Sequence, residues 1–262
     1  MRKNALKELL AKGGTAVNGW VAVPNAFQAE TYAGQGWDSV TIDMQHGAND
    51  TNDLIPLMQA ISLAGPTCMV RVPWNDPSYI QRTLDCGAYG IICPMVNTKD
   101  EAEALVSSGR YPPLGARSNG PFRASQFAGS DYLMHANTEI LLFAMIETTE
   151  AMKNLDAILK VKGLDGVYVG PTDLSLSLGK PATLDPSDKD VLKAMTTIAD
   201  KTRKAGKIAG VHTDGPKTAG KRFADGYQFC TLLNDVRLLA NAANAWVREA
   251  KGLAKGEASK SY

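Results

Sequence analysis

Eight short runs rich in β-branched and apolar residues recur along the chain at intervals of about 20 to 50 residues, with amphipathic segments of helical period between most of them. They are AVNGWVAVP (16–24), DSVTIDMQ (38–45), TCMVRVP (67–73), GIICPMV (90–96), EILLFAMIE (139–147), GVYVGPTD (166–173), KIAGVHT (207–213) and YQFCTLLND (227–235). Strand and helix in alternation mean parallel strands joined by crossovers, because a parallel neighbour cannot be reached through a tight turn. Several runs are apolar at nearly every position, as strands covered on both faces must be. Eight such units in 262 residues predict an α/β fold, a single (β/α)8 barrel of the TIM type. We place the barrel domain at 1–255 and a polar, flexible tail at 256–262.

Local signals agree. Asp76 followed by Pro77 is a helix cap with proline at the first helical position, and Gly87 and Gly163 stand where helices stop. In MRKNALKELLAKGG, Lys7 and Glu8 interrupt the apolar stretch, which reads as a short amphipathic helix and not as a secretion signal. The one long interruption, 109–138, lies between the fourth and fifth runs and is expected on the C-terminal face of the barrel. Its Arg117, Phe122 and Arg123 are candidates for recognising a second substrate, or equally for stitching an oligomer.

With 28 basic and 27 acidic residues the net charge is +1, so the electrostatic footprint that nucleic-acid binding needs is missing. No run of about 18 uncharged apolar residues occurs, so no membrane partner and a cytoplasmic location are expected. The four cysteines lack CxxC spacing and read as buried free thiols.

The active site of such a barrel lies at the C-terminal ends of its strands. Four reactive side chains fall there: His46 after the second run, Arg71 at the end of the third, Glu147 at the end of the fifth and Asp173 at the end of the sixth. Glu147 and Asp173 come from adjacent strands, and oxygen-only ligation suits Mg²⁺ or Mn²⁺, with Co²⁺ or Zn²⁺ as further options. Two protein ligands leave positions for an α-keto acid, whose developing enolate a bound cation would stabilise. Arg71 would donate to the oxygen where charge builds up, and His46 is the natural general base, since imidazole titrates near neutrality. Asp85, in the helix after the third run, is expected to orient that imidazole. His135 and His212 read as structural or solvated.

At these residues the chain resembles the class II pyruvate aldolases of the HpcH/HpaI type, the 4-hydroxy-2-oxoheptanedioate aldolase family. The likeness runs over about residues 5–250 through DMQHG, VRVPWNDPSYIQRTLDCGAYGIICPMVNT, YPPLGARSNGP, MIETTEAMKNLDAIL and GVYVGPTDLSLSLG, in that order. The resemblance implies a divalent ion on Glu147 and Asp173, His46 paired with Asp85 for proton transfer, and Arg71 on the enolate. It also implies that the backbone at Gly170, Pro171, Thr172 and Asp173 holds the keto acid's carboxylate. The implied partners are a small 2-oxo acid and an aldehyde, and the implied assembly is a homo-hexamer, a trimer of dimers in which 236–251 packs on another chain. Gln45 and Met145 depart from the founding pattern, which carries Glu and Gln there, and this turns the expectation toward pyruvate or hydroxypyruvate with varied aldehydes.

The alternative within the same resemblance is a CoA-thioester lyase of the citrate lyase β type. A Schiff-base aldolase needs a lysine in the barrel mouth. Lys207 opens its strand at the wrong end, and Lys160 and Lys162 precede theirs. A phosphate-binding isomerase would need Gly-rich loops after the last two strands, of which HTDGPKTAG is a weak version. A barrel with no catalytic role would lack a ligand or the base, and all are present.

Overall fold

A computed structural model describes residues 1–252. The expected tail at 256–262 lies outside them. Eight parallel strands close into one barrel in sequence order: β1 (Ala16–Val21), β2 (Ser39–Asp43), β3 (Thr67–Arg71), β4 (Gly90–Cys93), β5 (Leu141–Ile146), β6 (Gly166–Val169), β7 (Ile208–Thr213) and β8 (Phe229–Leu232). The closing seam pairs Asn18 with Thr231. Around them run α1 (Ala5–Ala11), α2 (Ala26–Ala33), α3 (Leu54–Ala64), α4 (Pro77–Asp85), α5 (Lys99–Gly109), α6 (Phe122–Ala128), α7 (Tyr132–Glu139), α8 (Thr149–Leu159), α9 (Pro171–Ser177), α10 (Lys189–Lys204), α11 (Pro216–Ala224) and α12 (Asp235–Ala250). The (β/α)8 barrel read from the sequence is the fold.

Strand alternation divides the apolar residues into two cores. Outward-facing residues such as Val40, Ile42, Val70 and Val167 pack against the helices. Inward-facing Met69, Phe143, Tyr168 and Phe229 fill the barrel, and Leu6 and Leu10 of α1 belong to that same cluster. The N-terminal helix therefore plugs the floor of the barrel. Asn4 caps it and also donates from its side-chain amide to the carbonyls of Tyr89 and Glu139, where β4 and β5 begin. With the floor sealed, ligands can enter the barrel only from the mouth.

The 109–138 segment is not on the C-terminal face. A full helix, α5, stands between β4 and this segment, so the segment leads into β5 at the floor. The α5 start is a capping box: the Thr98 hydroxyl receives the Glu101 N–H while the Glu101 carboxylate accepts from the Thr98 N–H. The segment folds into α6 and α7 and ties down to the floor. Arg123 donates to the Cys86 carbonyl after α4, and the Ala128 carbonyl accepts from the Arg2 N–H. Arg117, Phe122 and Arg123 therefore lie at the end opposite the mouth of their own barrel.

Candidate active site

The polar side chains of the mouth are delivered by strand parity. On β2, Ser39, Thr41 and Asp43 point inward, and Asp43 is in register with Arg71, the last residue of β3. Arg71 Nε donates to Asp43 Oδ1 at 2.8 Å and Nη2 donates to Oδ2 at 2.7 Å, a two-point grip that fixes the guanidinium plane. The Trp20 ring of β1 lies 4.9 Å from the guanidinium carbon. Burial pushes the Asp43 carboxyl up, but the bonds and charge of Arg71 outweigh it and hold it below the usual carboxylate range. Asp43 Oδ1 also accepts the N–H groups of Gln45 and His46, so it shapes the turn that carries the exposed His46. Sequence reading singled out His46 and Arg71 but missed Asp43, which holds both.

Glu147 follows β5 and is 3% exposed. Its Oε1 accepts the N–H of Met95 at 2.8 Å. Met95 adopts φ 54°, a left-handed backbone uncommon for a non-glycine residue, and the strain sits where the β4 loop turns its amide toward the carboxylate. On the other side Gly170 makes room, since a Cβ there would stand 2.6 Å from Glu147 Oε2. Burial, helped by the charge of Asp173, pushes the Glu147 carboxyl up to about 7 against the pull of Met95 and Arg71. Asp173 does not end β6. The strand stops at Val169, Gly170 caps α9 and Pro171 opens it, so Asp173 sits exposed in the first helical turn. Proline cannot donate to a sheet ladder, so the break falls there. Thr172, partly buried, shares that turn.

Asp85 is not beside His46 in this chain. It ends α4, which runs from mouth to floor, and its Oδ1 accepts from Arg117 Nη2 at 2.6 Å. Nine helical residues rise about 13 Å, which separates it from the loop carrying His46. Lys207 is spent on the carbonyls of Val161 and Leu164 at the floor, in line with its place at the wrong end of β7. His212, read as structural or solvated, faces into the barrel: its ring meets Trp20 edge-on at 5.0 Å, and Nδ1 lies 3.4 Å from the Tyr168 hydroxyl.

Among the described residues no three or more His, Cys, Asp or Glu side chains gather to hold a metal. That leaves the pair Glu147 and Asp173 as the candidate donors. Two surface cavities, of about 380 and 420 Å³, lie elsewhere, one lined by Arg2, Arg123 and Phe127 and the other by Glu103, Lys160 and Lys162. Neither includes a mouth residue, and the chemistry of the mouth outweighs their size.

The profile of the family described as HpcH/HpaI aldolase/citrate lyase matches residues 18–242. A hydroxypyruvate/pyruvate aldolase of Rhizorhabdus wittichii is 41% identical over 250 residues, 95% of this chain and 100% of the relative. A 4-hydroxy-2-oxovalerate aldolase of Rhodococcus jostii is 38% identical, covering 92% of this chain and 94% of that protein. The crystal structure of an HpcH/HpaI aldolase/citrate lyase family protein from Burkholderia cenocepacia superposes with a TM-score of 0.89 at 30% identity, over 95% of this chain and 99% of that one. An eight-stranded barrel with Arg71, Glu147 and Asp173 at its mouth and a profile match along nearly its whole length belongs to the HpcH/HpaI aldolase/citrate lyase family.

Proposed function

We propose that this chain adds the enolate of a 2-oxo acid, pyruvate or hydroxypyruvate, reversibly to an aldehyde to give a 4-hydroxy-2-oxo acid, using a divalent cation on Glu147 and Asp173. The observation that carries this reading is the state of Glu147. It is buried beside a second carboxylate, its carboxyl is pushed up to about 7, and its one hydrogen bond among the described residues is accepted from a backbone N–H. A cation is the missing complement to such a pair, and an all-oxygen donor set suits Mg²⁺ or Mn²⁺. When bound, the cation supplies Lewis-acid polarisation of the oxo acid's carbonyl.

The chain's own residues do the rest. Nη1 of Arg71 has no partner among the described residues, and Asp43 and Trp20 lock the fork that carries it, so it is preorganised to donate to the oxygen where charge develops. His46 takes the proton from C3 of the oxo acid, directly or through a water, and returns it to the alkoxide once the carbon–carbon bond has formed. The N–H groups of Gly170, Thr172 and Asp173 hold the substrate carboxylate, while Pro171, without an N–H, contributes shape. The names of the two relatives describe this chemistry in those proteins and favour it over thioester cleavage here.

The pairing of His46 with Asp85 then requires a second copy, because the two lie at opposite ends of one barrel. A homo-oligomer, the hexamer of exchanged last helices, fits α12: Leu239, Trp246 and Val247 are exposed, and Asp235 is its buried residue. Among the described residues no helix is long and apolar enough to cross a membrane, and a cytoplasmic location is part of the proposal.

The test is metal removal. EDTA is expected to abolish product formation from pyruvate or hydroxypyruvate across a panel of aldehydes, and Mn²⁺ or Mg²⁺ to restore it. Full activity in stripped enzyme, or a covalent adduct trapped by borohydride with pyruvate, would contradict the reading.

A further inference from the structure

The reaction outlined above gives no task to His212, the inward-facing residue near the C-terminal end of β7. Its ring and the Arg71 guanidinium flank the same Trp20 indole, at 5.0 and 4.9 Å from it. A small oxo acid held by Arg71 therefore lies next to His212.

The hydrogen-bond network beneath bears on which ring nitrogen carries the proton. Asn18 gives its amide N–H to Thr231 Oγ1 at 2.8 Å while its oxygen takes the Ser39 hydroxyl at 2.7 Å. Tyr168 donates its hydroxyl hydrogen to Thr231 Oγ1 at 2.6 Å. With Tyr168 donating to Thr231, it turns an oxygen lone pair toward His212 Nδ1 at 3.4 Å, and in the tautomer we assign the ring meets it with an N–H. The other nitrogen, Nε2, is left as a bare acceptor. Nothing among the described residues bonds it, it is not one of the buried orphaned polar atoms, and the half-buried ring of an inward-facing residue is reached only from the mouth. Burial and the Arg71 charge hold the imidazole down to about 3, so it stays neutral near pH 7.

An acceptor open to the mouth selects a donor. We propose that His212 is a specificity-determining residue whose Nε2 accepts the hydroxyl hydrogen of an α-hydroxy carbonyl substrate, favouring hydroxypyruvate over pyruvate as the enolate source. The proposal rests on the aldolase reading above. The methyl group of pyruvate has no hydrogen to give, so bound pyruvate takes water from this acceptor without replacing the bond.

The experiment compares kcat/KM for hydroxypyruvate and pyruvate, with acetaldehyde as acceptor and Mn²⁺ present, in the wild type, His212→Leu and His212→Asn. His212→Leu is expected to lower the hydroxypyruvate-to-pyruvate ratio about tenfold, the size of one neutral hydrogen bond. His212→Asn, whose amide oxygen accepts, should return the ratio to within about threefold of wild type. An unchanged ratio in His212→Leu overturns the proposal, whether both rates fall or neither does. A second arm pairs pyruvate with glycolaldehyde and with acetaldehyde, and a change confined to glycolaldehyde moves the contact to the acceptor and also overturns the assignment. Calorimetric binding of the two acids to the Mn²⁺-loaded proteins separates the two readings. If the wild type turns over neither acid the aldolase reading fails, while a hydroxypyruvate preference in binding that His212→Leu abolishes still upholds the contact, and its absence overturns it.

Discussion

The two ends of this barrel each hold an arginine gripped by an aspartate, and they use it differently. At the floor, Arg110 is 2% exposed and every one of its N–H groups is engaged. Nε and Nη2 donate to the Gly163 carbonyl, Nη1 to the carbonyls of Asn137 and Ile140, and Nη2 also to Asp165. Asp165 in turn accepts from Lys7 and from the Leu142 N–H. At the mouth, the Arg71 guanidinium makes two bonds among the described residues, both to Asp43, and its Nη1 makes none. A guanidinium with all donors engaged locks strands together; one held by two of its five donors keeps the rest for a ligand. Residue identity alone does not distinguish the two. The count of engaged donors does.

Exchanging each arginine should separate the two roles. Arg71→Lys keeps the charge but loses the planar fork, so aldol turnover should fall about 10²-fold or more, the scale of one lost oxyanion donor, with little change in melting temperature. A loss of stability with turnover per folded molecule retained would place Arg71 with the floor and break the comparison. Arg110→Met leaves Asp165 and three carbonyls without their donor. It should cost roughly 3 kcal/mol, a fall on the order of 10 °C in melting temperature, while kcat of the folded fraction holds. If kcat falls as well, the floor is coupled to the chemistry and the division is wrong.

The strands were the legible part of the fold because they are buried on both faces: the run EILLFAMIE became β5, in which every residue is buried. That same burial hid the parity of the strands. Where both faces are apolar, nothing in the pattern says that Asp43 and His212 point inward, and their partners Arg71 and Trp20 are brought to them only by barrel closure. Helix α5 was missed because KDEAEALVSSG is rich in small residues and its apolar face is weak, although the Thr98 and Glu101 capping box marked its start. With α5 overlooked, the 109–138 segment fell at the wrong end of the barrel, whereas Asp85 was placed on its own helix, α4, and it is the mouth-to-floor run of that helix that separates it from His46 of the same chain. The Gly170-Pro171 step, which ends β6 and puts Asp173 on a helix, was legible as a strand break. His46, Arg71, Glu147 and Asp173 were found because each stands beside a strand end, a position that sequence alone locates.

The two ends should also differ in how they meet acid. At the floor, burial pushes the Glu139 carboxyl up, but the Lys3 bond and the Asn4 N–H outweigh it and leave it below its usual value. Its stabilising contribution is present above the unfolded pKa of about 4.3 and is lost only as pH falls through the lower, folded value. At the mouth, His212 is depressed to about 3. The folded protein keeps this ring neutral while the unfolded chain takes up a proton below about 6.5, so stability is full above 6.5 and falls as pH drops toward 3. Between pH 7 and 5 this ring on its own therefore withdraws about 1–2 kcal/mol of stability. Glu147, raised to about 7, works in the opposite sense, since the folded state binds its proton more readily than the unfolded chain does. That contribution is common to wild type and His212→Leu, so the difference between the two proteins isolates the imidazole. Denaturant unfolding of both at pH 7 and pH 5 should show the wild type losing about 1–2 kcal/mol more than the variant. Equal losses would mean that the ring is protonated in the folded state, and the neutral acceptor at the mouth would go with it.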